Sequence, residues 1–351
     1  MKRFSSTLLC LCLLLSLWAC GKPDPAQNPG KDSTTTSGQT IPFESAPSES
    51  TPSENNQADQ PNPPEPEDSI TPILYKLTDD AGNTAWLFGS IYVGEKNFYP
   101  LPDYVTSAYE NSDALAVEFD VVSFASDTKA QTNALMQLIY MDGTTITDHI
   151  PEELYTQAVD VLKECGQYIS ALDMYCPALW SSFIESSMLE DLEVSADLGL
   201  DMHFLNDAHE TGKEIQDVES AEFQYGMMAD FSEELQILLL ESSLYSYNNM
   251  DETATELAEL KTAWASGDEE ALVALLNEEP ELTSEEEANL YAEYNDAMMT
   301  QRNISMADFA EAALTSGKEV FICVGAAHVV GPDAMVDLLT QRGYTLERVL
   351  P

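Results

Sequence analysis

Three consecutive segments at the end of the chain decide the fold: "EVFICVG" at 319–325, "AAHVVGPDAMVDLLTQRG" at 326–343 and "YTLERVL" at 344–350. The first is a short apolar run closed by a glycine, the signature of a buried strand. The second is a loop and helix, with Pro332 near the helix's first turn and Gly343 as its terminator. The third reads as a closing strand. Strand, loop, helix and strand at this spacing make a βαβ-like unit. The expected class is therefore α/β (α+β-like), a helix-rich domain around a small mixed sheet.

Upstream, Thr283 and Glu286 have the spacing of a capping box and open a long helix. Leu290, Tyr294 and Met298 then step by four, and the next step lands on Arg302. An arginine on a buried stripe needs a partner or a ligand, unless it snorkels at the stripe's edge. Segments 128–140, 152–165, 177–190 and 196–211 carry helical apolar spacing. Leu235, Leu238, Leu239 and Leu240 mark the buried face of a later acidic helix, and 212–221 holds a short strand. Nearer the N-terminus, "ILYKLTD" and "TAWLFGS" flank a Gly82-Asn83 turn as a hairpin. A helix follows from about Asp103, and "ALAVEFD" at 114–120 is another strand.

Three strands end in polar groups, and chemistry in open α/β sheets gathers at such ends. One ends in Gly89-Ser90-Ile91-Tyr92, one in Glu118-Phe119-Asp120, and one in Gly325-Ala326-Ala327-His328. If the strands are neighbours, a phenol, a carboxylate and an imidazole converge. Imidazole and carboxylate are ordinary ligands of divalent metals, whereas neutral tyrosine is a poor one. His149 reads as a surface or capping residue, and the spacing of His203 and His209 keeps both out of the site.

The rest of the chain bounds the setting. Lys2 and Arg3 precede an apolar run too short to span a membrane, ending at Leu17-Trp18-Ala19-Cys20. This reads as a signal peptide over 1–19 with Cys20 as the lipidated mature N-terminus, or as a plain secretory signal cut nearby. Both place the protein outside the cytoplasm. Residues 20–70 then form a tether holding ten of the eighteen prolines, with Phe43 as the sole aromatic, and 71–351 form the domain. A formal charge of −48 argues against nucleic acid and anionic lipid as partners, so membrane contact runs through the anchor alone. Of six cysteines, Cys165, Cys176 and Cys323 fall in the domain. Their spacing is no disulfide framework and no zinc knuckle, and a Cys165–Cys176 bridge stays open.

The two glycine turns, "RNISMADFAEAAL" and "VGAAHVVGPDAMVDLLTQRGYTLERV" together resemble the TraB/GumN family, which includes the animal TIKI proteases and PrgY-like proteins. "LGLDMHFLNDAHETGKEIQDVES" is similar to the family's glycine-x-aspartate helix and the strand after it. The resemblance implies a fold like that of the erythromycin-esterase and ChaN-like proteins. It also implies a metal-dependent peptidase using Mn²⁺ or Co²⁺, with Zn²⁺ as a third choice. Carried over by position, Gly325 and His328 match the second turn, Glu118 the acidic residue, Arg302 and Asn303 the Arg-Asn pair, and Asp201 the helix aspartate. Gly89 matches the first turn, but Tyr92 stands where the family has histidine. The expectation is a lipid-anchored extracytoplasmic hydrolase acting on a peptide or protein. Its metal would sit on His328, Glu118 and Tyr92, and Arg302 would steady negative charge. The alternative is a catalytically inactive peptide-binding or sequestering protein on the same scaffold.

Overall fold

The computed structural model describes residues 70–351 apart from Glu193, Glu279 and Glu281. The expected signal peptide, lipidated Cys20 and tether lie outside the described residues. No helix among the described residues is long and apolar enough to cross a membrane.

Six strands form one sheet: β1 (Ile73–Thr78), β2 (Thr84–Ser90), β3 (Ala114–Val117), β4 (Glu214–Asp217), β5 (Val320–Gly325) and β6 (Thr345–Arg348), in the order β4-β3-β5-β2-β1-β6. β1 and β2 are the expected hairpin. Asp79 stabilises its turn by accepting the Ala81 and Asn83 backbone N–H groups at 2.9 and 2.8 Å, and Gly82 takes the left-handed φ of 86°. β2, β5, β3 and β4 run parallel, and β1 is antiparallel to both of its neighbours. β6 therefore runs the same way as β5, as a βαβ unit requires. It does not lie beside β5, however, because β2 and β1 stand between them. β2, β3 and β5 are adjacent and parallel, so their carboxyl ends emerge along one edge.

The helices follow as α1 (Asp103–Asn111), α2 (Val121–Ser126), α3 (Thr128–Met136), α4 (Glu152–Glu164), α5 (Pro177–Asp191) and α6 (Leu200–Thr211). After β4 come α7 (Ala221–Asp230), α8 (Glu233–Asn248), α9 (Met250–Ser266), α10 (Glu269–Leu276), α11 (Glu285–Asn295) and α12 (Gln301–Thr315). A one-turn α13 (Ala326–Val329) and α14 (Met335–Gln341) lie between the last two strands. One hydrophobic cluster surrounds the sheet, including Phe88, Phe204, Trp264 and Phe321; a second joins α4, α5, α8 and α11 around Trp180, Tyr225 and Met298.

Several boundaries differ from the sequence reading for local reasons. The long helix is capped by Ser284, whose hydroxyl accepts the Glu287 N–H at 3.1 Å, while Glu287 accepts the Thr283 N–H at 2.7 Å. The capping device is thus displaced by one residue from Thr283/Glu286. A wide π turn at Asp296–Thr300 joins α11 to α12, so the stripe of fours passes through an extra residue just before Arg302. The segment read as a helix over 128–140 stops at Met136. The last helix starts at Met335, leaving Pro332 in the preceding turn, and Gly343 ends it with φ of 96°. Cys165, Cys176 and Cys323 are all free thiols, so the Cys165–Cys176 bridge is not formed.

Candidate functional site

The parallel run β3-β5-β2 brings the three strand ends together. Glu118 leaves β3, Tyr92 follows β2 by two residues, and His328 sits in α13 directly after β5. The long helix supplies Arg302 and Asn303 at the start of α12. Glu118, Arg302, Asn303 and His328 are each 2–3 % exposed. The structure brings Tyr92, Glu118 and Arg302 together, with Asn303 holding the imidazole of His328.

Glycine is needed at two points of this junction. A Cβ on Gly325 would lie 3.0 Å from the Tyr92 hydroxyl, so the phenol reaches its place because Gly325 has no side chain. A Cβ on Gly89 would lie 3.2 Å from Ala326, where α13 packs back on β2. The close approach at Gly325 therefore serves Tyr92 itself.

A carboxylate offers about four acceptor positions, and here every one is used. On Glu118, Oε1 accepts the Tyr92 hydroxyl and the Gly325 N–H, the latter at 3.2 Å. Oε2 accepts Arg302 Nη2 at 2.6 Å and Gln224 Nε2 at 3.1 Å. Arg302 also grips Glu219, with Nε on Oε1 at 2.8 Å and Nη2 on Oε2 at 2.9 Å. Gln224 Nε2 bridges to Glu219 at 2.9 Å. The arginine is therefore partnered and does not snorkel. Burial is the largest influence and pushes the Glu118 carboxyl up, but Arg302 first, then His328, Tyr92 and Gly325, together outweigh it and hold Glu118 below the usual carboxylate range. Burial, then the Glu118 and Asp201 charges, push the Tyr92 phenol well above its ordinary value, so it remains a protonated donor.

His328 is held separately. Its Nδ1 donates to Asn303 Oδ1 at 2.7 Å, and Asn303 Nδ2 donates to the Asp333 carbonyl at 3.0 Å. This fixes the ring and leaves the Nε2 lone pair directed elsewhere. Burial, then the Arg302 charge, depress the imidazole to about 3, so it is neutral at physiological pH. A pocket is lined by His328, Arg302, Tyr92, Ser90, Trp264 and Gly325.

Asp201, at the start of α6, lines a second pocket with Tyr92 and Glu118. Its Oδ1 accepts the Ser90 hydroxyl at 2.9 Å and the Cys323 thiol at 3.7 Å. Its Oδ2 is buried with no hydrogen-bond partner. Burial and the Glu118 charge push this carboxyl up to about 7. The remaining histidines stay outside: His149 bonds Glu233 and Thr144 and stacks on Tyr140, His203 packs against Tyr99, and His209 pairs with Asp120.

The sequence alone assigns no role to Glu219, Gln224 or Ser90. Glu219 lies two residues past β4, inside the 212–221 segment read as a strand, but nothing in its sequence sets it apart from the chain's many other acidic residues. Ser90 stood inside the quoted turn, between Gly89 and Tyr92.

A profile of the TraB/PrgY/gumN family matches residues 73–348. The chain belongs to the TraB/PrgY/gumN family. Two curated relatives match, the uncharacterized protein YbaP of Escherichia coli K12 and that of Shigella flexneri. Each is 26 % identical over 255 residues, covering 72 % of this chain and 86 % of the relative. No solved structure matches. Within this TraB/PrgY/gumN chain, the metal that the resemblance implies does not suit the donors present. Glu118 has no free acceptor, Tyr92 is a donor to it, and Arg302 already supplies the cation at its outer oxygen. His328 Nε2 is left as a single neutral ligand. Among the described residues, no group of three His, Cys, Asp or Glu is placed to hold a metal ion.

Proposed function

We propose that this TraB/PrgY/gumN protein is a lipid-anchored extracytoplasmic binding protein that captures a peptide or protein segment without cleaving it. The observation that carries the reading is the saturation of Glu118 by Tyr92, Gly325, Arg302 and Gln224. A carboxylate whose acceptor positions are all filled by its own protein neither ligates a metal nor activates a water. It serves as a structural anchor that fixes Tyr92 and Arg302 as the walls of a pocket. The pocket beside His328 has an apolar lining from Ile91, Leu260, Trp264, Leu272 and Leu276, with few polar groups, which suits recognition of a partly apolar segment. The anchor and compartment rest on the Lys2–Cys20 sequence.

A hydrolytic reading keeps one observation in its favour, the fixed His328 ring with its free Nε2 lone pair. A base whose conjugate acid titrates near 3 accepts a proton poorly at neutral pH, which places this reading second. The test is incubation of the full chain with a peptide library, scoring both capture and cleavage by mass spectrometry. Capture without cleavage products, unchanged by chelator, supports binding. Cleavage that is abolished in His328→Ala overturns it.

A further inference from the structure

Tyr92 lines two pockets. The second pocket is walled by Tyr92, Glu118 and Asp201 and otherwise by apolar side chains, among them Val93, Leu189 and Leu205. Asp201 is 7 % exposed, and one of its two oxygens, Oδ2, has no partner. A buried acceptor left unbonded is unfavourable, which marks Oδ2 as a place where a donor would be accepted.

The charges around it are unbalanced. Three carboxyl groups, Glu118, Glu219 and Asp201, meet one guanidinium. Arg302 spends its Nε and Nη2 donors on the two glutamates and makes no hydrogen bond to Asp201. A ligand for the vacant acceptor must therefore donate hydrogen bonds, and a positive charge on it would complete the neutralisation. An anion would be repelled, and a neutral hydroxyl would meet the acceptor without holding Asp201, whose carboxyl is pushed up to about 7, in its ionised form. An ammonium group does both, with three N–H donors and charge-assisted bonds. The apolar remainder of the wall asks for an aliphatic body next to that head.

We propose that the pocket between Tyr92 and α6 binds an aliphatic ammonium group, with Asp201 Oδ2 as the acceptor for its N–H donors. The inference deepens the binding reading above by naming the end of the ligand that is recognised. Two sources carry this chemistry, a free alkylamine and the α-amino terminus of a peptide beginning with an aliphatic residue.

The experiment is calorimetric titration of the full chain with n-hexylamine, n-hexanol, n-hexanoate and Mn²⁺. Leu-Leu amide, with a free or an acetylated terminus, is titrated in parallel. Saturable binding of hexylamine is expected, roughly tenfold or more tighter than hexanol, with none for hexanoate. Asp201→Asn should lower hexylamine affinity by a similar factor. If that variant does not fold, Met202→Trp, at a partly exposed wall of the same pocket, should crowd the aliphatic chain and weaken hexylamine with Asp201 intact. Tighter binding of the free peptide than of the acetylated one assigns the peptide source, and hexylamine binding with equal or no peptide binding assigns the free amine. Hexanol or hexanoate binding as tightly as hexylamine overturns the inference, as does hexylamine affinity unchanged in a folded Asp201→Asn. Equal capture of both peptides without hexylamine binding sinks the ammonium inference and leaves the binding reading standing. Hexylamine binding with no peptide captured in any assay does the reverse. Stoichiometric Mn²⁺ binding that displaces hexylamine removes both.

Discussion

Replacing Arg302 by methionine removes the guanidinium but keeps most of the side chain's length and apolar contact. Three hydrogen bonds disappear, at 2.6, 2.8 and 2.9 Å, and two buried carboxylates are left facing each other. Breaking a buried ion pair from one side costs about 3–5 kcal/mol, because the remaining charge is stranded. The pH dependence is the sharper part. In the wild type, Glu118 is held below its ordinary value of 4.5, so its contribution is present above that pH and is lost as pH falls through the folded value. In the variant the guanidinium is gone and burial pushes Glu118 up. Its penalty is then absent at low pH and grows as pH rises. The loss caused by Arg302→Met should therefore be about 3–5 kcal/mol at pH 7 and smaller by about 1–2 kcal/mol at pH 5. Urea unfolding followed by fluorescence at the two pH values, with m checked for constancy, measures it. A loss below about 1 kcal/mol, or the same loss at both pH values, would refute the account of Arg302 as the resident counter-ion.

Other outcomes follow from single contacts. Gly94→Ala places a Cβ on the Leu198 carbonyl oxygen, backbone that cannot yield, and should cost more than about 3 kcal/mol in thermal or urea unfolding. Glu185, buried between α5 and α8 with Ser243 as its partner, has its carboxyl pushed up to about 8 by burial. A raised folded value means that stability is fully present below about 4.5 and is lost as pH climbs through 8. Glu185→Gln should thus gain on the wild type by about 1–3 kcal/mol between pH 5 and pH 8, read from unfolding at both. The His328 imidazole, depressed to about 3, should show no titration between pH 5 and pH 8 by NMR. The full chain's domain should present Cys165 to a thiol reagent in the native state and release Cys176 and Cys323 only on denaturation, with no bridge to reduce.

Much of the fold was written locally. The β5 to β6 unit, the β1–β2 hairpin and most helix spans follow from apolar period, turn glycines and caps. The strand order was not, because β6 crosses two strands and the last hydrogen-bonded neighbour of an edge is set by packing. The convergence of Tyr92, Glu118 and His328 was legible once three strands were seen to end in polar residues, since parallel neighbours put those ends on one edge. Arg302 was legible as a misfit on an apolar stripe. Its partner Glu219 follows a strand the sequence does mark, but one acidic residue among so many carries no sign of being the buried one. The π turn before Arg302 has no sequence mark that a four-residue step reveals. Tyr92 was visibly out of pattern, but its consequence required counting the acceptors of Glu118, which only three-dimensional contacts supply.

The Tyr92 hydroxyl and the Arg302 guanidinium occupy the carboxylate that a metal would need. The direct measurement is metal content of the full chain after loading with Mn²⁺, Co²⁺ or Zn²⁺ and removal of free metal, by inductively coupled plasma mass spectrometry. Wild type is predicted to retain far less than one metal per chain, at the level of His328→Ala. One Mn²⁺ or Co²⁺ per wild-type chain, lost in His328→Ala, would contradict it.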